Sequence, residues 1–294
     1  MADGDWIAVD WGTTSMRARL VSADGTIRDE AAPGPGMGAL QRADYEPTLL
    51  AAVSDWLHDG PAEVLICGMA GARQGWREAA YVPVPAALGG LLREAIDVPT
   101  DDARLRVRIV PGLSQSDPPD VMRGEETQLL GLLSRGALRD AVVCLPGTHS
   151  KWVRIEDGDV VAFSTHMTGE LYALISTSSV LRHSMDDGWN EDTFRAAVRE
   201  AADDPAVLDR LFALRAAGLL SIRPAGWAAS RLSGLLIGAE LAREPAGGTV
   251  HIVGAGGLAA RYHDALRALD RDGIVHDGGA LAVAGLAALR QGAS

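Results

Sequence analysis

The chain has 294 residues, a formal net charge of −12, 47% hydrophobic and 22% charged residues. That is a folded, globular composition large enough for two modest domains, and its acidity argues against a nucleic-acid surface. No apolar run reaches the ~18 residues of a membrane span, Met1–Asp5 has no signal-peptide character, and Cys67 and Cys144 read as small core thiols, so a cytoplasmic protein that meets no membrane is expected.

Taken in order, residues 6–32 predict three antiparallel strands, 6–10, 16–22 and 26–31, turning at Asp24-Gly25. Pro33 to Gly38 is a loop. Residues 47–56 carry the stripe Leu49, Leu50, Val53, Trp56 of a helix. A short buried strand, 63–66, opens into the Gly-rich stretch 68–76. That stretch begins at a strand end, where α/β folds place ligand sites; a plain connection is the alternative. Residues 81–85 are extended, 105–111 alternate as a strand, and 114–119 read as a polar loop. Residues 122–133 predict a helix with Glu125 and Glu126 in its first turn. Those acids are open to two readings: complements to the helix dipole, or a carboxylate aimed at a reaction.

Strand 141–145 precedes a hairpin, 151–156 and 160–164, turning at Asp157-Gly158. A helix is expected over 167–181, and helical patterns over 190–218 and 224–243. Strand 249–253 ends in Gly254-Ala255-Gly256-Gly257-Leu258-Ala259, before a helix reaching residue 269. A last strand, 273–276, and an Ala-rich helix from Gly278 complete the chain.

Two stretches carry the chemistry. Trp6–Val9 runs into Asp10-Trp11-Gly12-Thr13-Thr14-Ser15, a strand end carrying a carboxylate beside a small hydroxyl-rich turn. Such a turn can direct N–H and hydroxyl groups at phosphate while the acid holds Mg²⁺ or its water. Gly147-Thr148-His149-Ser150-Lys151-Trp152-Val153-Arg154-Ile155 repeats Gly12-Thr13-Thr14-Ser15-Met16-Arg17-Ala18-Arg19-Leu20 in register, also after an apolar strand and before a hairpin. One supersecondary unit therefore occurs twice, and two lobes, 1–135 and 136–294, are expected. The stretch 254–259 also fits the dinucleotide fingerprint G-x-G-x-x-[GA]. Too few residues follow it to complete such a domain, and a dehydrogenase would leave the paired hairpins unexplained. There is no P-loop, no zinc-type Cys/His spacing and no G-x-S-x-G elbow.

The blocks Ile7–Gly12, Val121–Gln128, Pro146–Val153, Met167–Leu171 and Leu235–Glu240 resemble, in the same order and over nearly the whole chain, the 2-dehydro-3-deoxygalactonokinase family, sugar-acid kinases of the actin–hexokinase–Hsp70 ATPase superfamily. The resemblance implies a two-lobed actin-like (ribonuclease H-like) α/β fold, each lobe a mixed sheet flanked by helices, with the active site in the cleft between them. It implies ATP-dependent phosphorylation of 2-dehydro-3-deoxy-D-galactonate at its terminal hydroxyl. By position, Asp10 would hold Mg²⁺ through water; Gly12, Thr13 and Thr14 would form the first phosphate loop, Gly147 and Thr148 the second. Gly254, Gly256 and Gly257 would receive adenosine. Glu125 is the implied base, matching the catalytic Asp that the wider superfamily places directly after the glycine equivalent to Gly124; because it is the longer acid, Glu126 is the competing candidate. Met69, Gly71, Arg73, Arg123 and Thr168 are the substrate-binding candidates, with Arg17 a third arginine for the substrate carboxylate, and a homodimer is compatible with all of this. The rival readings are another sugar or amino-sugar kinase of the superfamily, or an ATP- or sugar-sensing protein without a working base.

Overall fold

The computed structural model describes residues 2, 4–58, 60–136 and 138–292. In chain order its main elements are β1 (Trp6–Trp11), β2 (Ser15–Val21), β3 (Ile27–Glu30), α1 (Tyr45–Val53), β4 (Ala62–Gly68), β5 (Leu105–Ile109), α2 (Glu125–Ser134), β6 (Ala141–Leu145), β7 (Ser150–Glu156), β8 (Asp159–His166), α3 (Thr168–Ser178), α4 (Glu191–Asp203), α5 (Leu208–Leu220), α6 (Trp227–Leu241), β9 (Val250–Gly254), α7 (Gly256–Ala268), β10 (Gly273–Asp277) and α8 (Gly278–Gly292). They gather into two compact units: Met1–Asp140 with Ile155–Ala162 and Asp277–Ser294, and Ala141–Arg154 with Phe163–His276.

The first unit is built on a sheet ordered β3-β2-β1-β4-β5, extended by Ile96–Val98 at the β5 edge. β1 pairs antiparallel with β2 and parallel with β4, and β4 runs parallel to β5. Both faces of β1 are buried, so it reads as a continuous apolar run rather than an alternating one. One face packs Ile7, Val9, Val64, Ile66, Val107 and Ile109 with Tyr45 and Leu49 of α1. The rings of Trp11, Tyr45 and Trp76 meet there with centroids 4.8 to 6.1 Å apart, which anchors the strand end that carries Asp10. Helices α2 and α8 pack closely on each other: a Cβ on Gly131 would lie 2.0 Å from the Leu281 carbonyl oxygen, and one on Gly285 1.9 Å from that of Thr127. Gly278–Gly292, allotted to the second half by the division at 135/136, thus packs within the first unit. The stretch read as a polar loop, 114–119, instead forms a hairpin of Gly112–Ser116 and Pro119–Met122.

The sheet containing the second unit's strands is ordered β8-β7-β6-β9-β10. Numbered within each unit, both sheets have the order 3-2-1-4-5, so the repeated turn in the sequence marks a repeated topology. The tip of the β7–β8 hairpin clusters with the first unit, where Asp159 and Val160 pair with Ala87 and Ala86. The second core joins Cys144, Trp152, Phe194, Ile237, Ile252, Tyr262 and Leu266. The helical pattern over 190–218 is two helices, α4 and α5, parted at Asp204-Pro205 because proline cannot donate within a helix.

Candidate functional site

In the first unit three strand-to-turn junctions converge. Asp10 lies opposite Arg17 on β2 and Cys67 on β4. Its carboxylate is mostly buried and meets the Arg17 guanidinium at 3.5 Å. Burial raises its pKa, with Arg17 and Arg19 opposing the shift. Beyond it the carbonyls of Gly12, Thr13 and Thr14 accept from the amides of Met37, Gly38 and Gly36 at 3.0, 2.9 and 3.1 Å. In a trans peptide the N–H points opposite the C=O, so the Thr13 and Thr14 amides face away from that supporting loop. Both threonines are exposed.

The β4 end turns at Gly68, where φ is +92° and a Cβ would lie 2.6 Å from the Trp11 carbonyl oxygen. Gly124, at φ +104°, stacks on it: a Cβ there would be 3.2 Å from the Gly68 Cα. Two glycines of this conformation let the 68–71 and 123–125 turns lie against the strand end carrying Asp10.

Helix α2 begins just after Gly124. The Glu125 carboxylate accepts from the Arg123 amide at 2.9 Å and the Glu126 carboxylate from the Gly124 amide at 2.7 Å. The two acids differ in surroundings. Glu125 is half-buried. Glu126 is fully buried, and burial together with the neighbouring Glu125 charge pushes its pKa to about 8.

Arg123 is also buried. Its Nη2 donates to the Ala79 carbonyl at 2.7 Å, its guanidinium lies 4.3 Å from the Tyr81 ring centre, and its Nε and Nη1 have no acceptor among the described residues. Gly71 makes room for it, since a Cβ there would meet Nη1 at 2.7 Å. Met69 is half-buried at the same turn. Arg73 is 81% exposed and bonds Glu78, and Arg17 meets Asp10, so among these three arginines Arg123 alone is buried with two guanidinium nitrogens that have no hydrogen-bond acceptor among the described residues.

In the second unit Gly147 and Thr148 form the corresponding turn, and the Thr148 side chain is exposed. The turn rests on the start of α3. The Glu170 amide donates to the Thr148 carbonyl at 2.9 Å, His149 meets the Glu170 carboxylate at 2.6 Å, and a Cβ on Gly169 would lie 2.3 Å from the Gly147 carbonyl oxygen. Thr168 is buried, its hydroxyl donating to Glu240 rather than facing outward. At the β9–α7 turn Gly256 has φ +63°, and no atom lies within 4 Å of a Cβ built on Gly256 or Gly257. That leaves bare backbone on which a flat group can lie.

Sequence reasoning missed Glu240 and Tyr262 as a buried polar pair. The signal available was an acid ending the apolar block Leu235–Glu240. Among the described residues no group of three or more His, Cys, Asp or Glu side chains could hold a metal. No helix among them is long and apolar enough to cross a membrane.

The paired 3-2-1-4-5 sheets, each with a hydroxyl-bearing turn after its first strand, define an actin-like ATPase fold, and the chain is a kinase that takes ATP as substrate. The model of the 2-keto-3-deoxy-galactonokinase family matches residues 10–289, and the chain belongs to that family. It is 43% identical to a protein of Rhizobium meliloti (strain 1021) named probable 2-dehydro-3-deoxygalactonokinase DgoK1, over 94% of this chain and 95% of that one. It is 34% identical to the 2-dehydro-3-deoxygalactonokinase of Escherichia coli (strain K12), over 91% of each. A crystal structure assigned to a 2-dehydro-3-deoxygalactonokinase of Sinorhizobium meliloti superposes with a TM-score of 0.88 at 40% identity, covering 97% of this chain and 96% of that one.

Proposed function

We propose that this chain transfers the γ-phosphoryl group of ATP to the terminal 6-hydroxyl of 2-dehydro-3-deoxy-D-galactonate, with Glu125 as general base. The carrying observation is the contrast between the two adjacent acids. Glu125 is half-buried and held in place by the Arg123 amide, whereas Glu126 is sealed off and keeps its proton at neutral pH. A base needs both access and an ionised carboxylate.

In the proposed step the hydroxyl oxygen bonds to the γ-phosphorus while the bond to the β–γ bridging oxygen breaks. The hydroxyl proton passes to Glu125, and ADP leaves with the electron pair. The transition state is loose and in-line, so positioning and charge stabilisation dominate. Gly12, Thr13 and Thr14 on one turn, and Gly147 and Thr148 on the other, supply N–H and hydroxyl donors to phosphate. Gly254, Gly256 and Gly257 receive the adenosine. Arg123 takes the substrate carboxylate, with Gly71 and Met69 shaping that subsite. Arg73, which reaches only solvent and Glu78, contributes at most to the rim.

Asp10 is the residue that would hold Mg²⁺. A lone, partly accessible carboxylate suits a cation that keeps most of its water and takes its other ligands from phosphate. When bound, the ion neutralises phosphate charge. A cytoplasmic setting, where ATP is at hand, fits the two buried free thiols.

The test is a coupled ADP-release assay with Mg-ATP and a panel of acceptors: the galacto and gluco keto-deoxy acids, galactonate, glucose and N-acetylglucosamine. Turnover confined to the keto-deoxy acids is expected, with Glu125→Gln lowering kcat by about 10²- to 10⁴-fold while ATP binding persists. Arg123→Gln should raise KM for the acids. Unchanged kcat in Glu125→Gln, or turnover of neutral sugars alone, would overturn the assignment.

A further inference from the structure

Glu240 sits near the end of α6, 3% exposed, and gathers donors from three other elements. Trp152 Nε1 of β7 donates to it at 2.7 Å, the Tyr262 hydroxyl of α7 donates at 2.8 Å, and the Thr168 hydroxyl donates from the first turn of α3. Tyr262 in turn shares a hydrogen bond of 2.7 Å with Ser150 Oγ, at the start of β7 and directly after the second turn. A buried carboxylate is costly unless its lone pairs are satisfied, and once satisfied in a low-dielectric interior it holds its donors firmly. These residues come from positions 150 to 262, far apart in the chain, so their convergence on one buried carboxylate needs an explanation.

Position supplies one. Thr168, Gly169 and Glu170 form the shelf on which Gly147, Thr148 and His149 rest, through the Glu170 amide, the bare Gly169 and the His149–Glu170 pair. Ser150 fixes the far side of the same turn. A small cavity of about 50 Å³ lined by Gly147, Thr168, Gly169, Leu258, Arg261 and Tyr262 adjoins the network. The turn is thus gripped from both sides by groups that end on one carboxylate.

We propose that Glu240 is a positioning residue for ATP, acting through Thr168 and through the Tyr262–Ser150 pair to hold the Gly147–Thr148 turn at its phosphate-binding geometry. This rests on the reading of that turn as a phosphate loop. It reassigns Thr168 from a contact with the sugar acid to a tether under the nucleotide. Tethering of this kind matters because displacement of a binding group by about 1 Å can cost 100-fold in rate.

The experiment uses the full chain with Thr168→Val, which removes the hydroxyl at constant shape, Thr168→Ser, which restores it, and Tyr262→Phe. Mg-ATP affinity is measured by calorimetry without any acceptor, KM values for ATP and for the sugar acid are measured separately, and thermal unfolding is followed in parallel. Thr168→Val is expected to weaken ATP binding and raise its KM by about 10- to 100-fold, with the acid KM within about twofold of wild type. Thr168→Ser should recover most of the loss, and Tyr262→Phe should move ATP affinity in the same direction. Unchanged ATP affinity in folded Thr168→Val overturns the proposal, as does a rise confined to the acid KM, which would return Thr168 to the acceptor site. Failure of Thr168→Ser to rescue overturns it too. Because the calorimetry has no acceptor, a wrong acceptor assignment leaves this result readable.

Discussion

At the scale of single residues, two neighbouring glutamates share a motif but not a role. Both carboxylates fold back onto the backbone amides of the two residues just before the helix, as a reading of helix-terminus acids anticipates. Burial chiefly separates them, and burial is a property of what packs above, which a local string of letters does not carry. Glu126 has a measurable signature. Folded, it holds its proton up to about pH 8, against an ordinary value of 4.5. Between those values the folded state binds more protons than the unfolded one, so this group's contribution is fully present below pH 4.5 and is lost as pH rises through 8. Glu126→Gln should remove that slope. In urea unfolding at pH 5 and pH 8.5, wild type should lose more stability between the two than the variant does. Equal losses would show that Glu126 ionises freely in the fold. The Glu240 network was equally hidden: Trp152 and Glu240 lie 88 positions apart, and nothing local announces that they meet.

At the scale of elements, the hairpins were the most legible part. Apolar runs, alternation and the Asp-Gly turns placed β1–β3 and β6–β8 to within two residues, because those signals are local. The hairpin Gly112–Met122 was missed for the complementary reason: its strands are short and polar and lack that alternation. Helix packing depends on glycines whose purpose shows only in three dimensions. Gly131 and Gly285 let α2 and α8 cross with backbone against backbone. Gly234 and Gly238 do the same for α6 on α4, where a Cβ would come within 2.5 Å of the Phe194 and Val198 carbonyl oxygens. An added methyl has nowhere to go at such a crossing, so Gly285→Ala should cost at least about 2 kcal/mol. Chemical denaturation would show it. Since α2 begins at Glu125, the same variant should lower kcat even in the fraction that stays folded. A shift below about 0.5 kcal/mol would mean that the helices part easily.

At the scale of the whole molecule, the chain enters and leaves each unit more than once. The first unit takes Met1–Asp140, a hairpin tip and Asp277–Ser294. Leu281, Leu286 and Leu289 of α8 are among its buried side chains. The internal repeat revealed that a topology recurs, but a repeat counts copies and says nothing about where a terminal helix docks. A fragment ending at residue 140 should therefore lack cooperative unfolding, because a face meant for α8 meets water instead. A peptide covering 277–294, added in trans, should restore a sigmoidal melt. Cooperative folding of 1–140 alone would show that α8 is dispensable.

The route of the chain through the first unit also sets a timetable. A polypeptide emerges from the ribosome N-terminus first, and domains commonly fold in that order. Here the unit that starts first cannot finish first, since α8 leaves the exit tunnel after every strand and helix of residues 141–276. While residues 141–276 are made, the N-terminal sheet therefore has all its strands but still lacks the helix that packs on α2. On that order all of residues 141–276 is made before α8 arrives to pack on α2, the helix that carries Glu125.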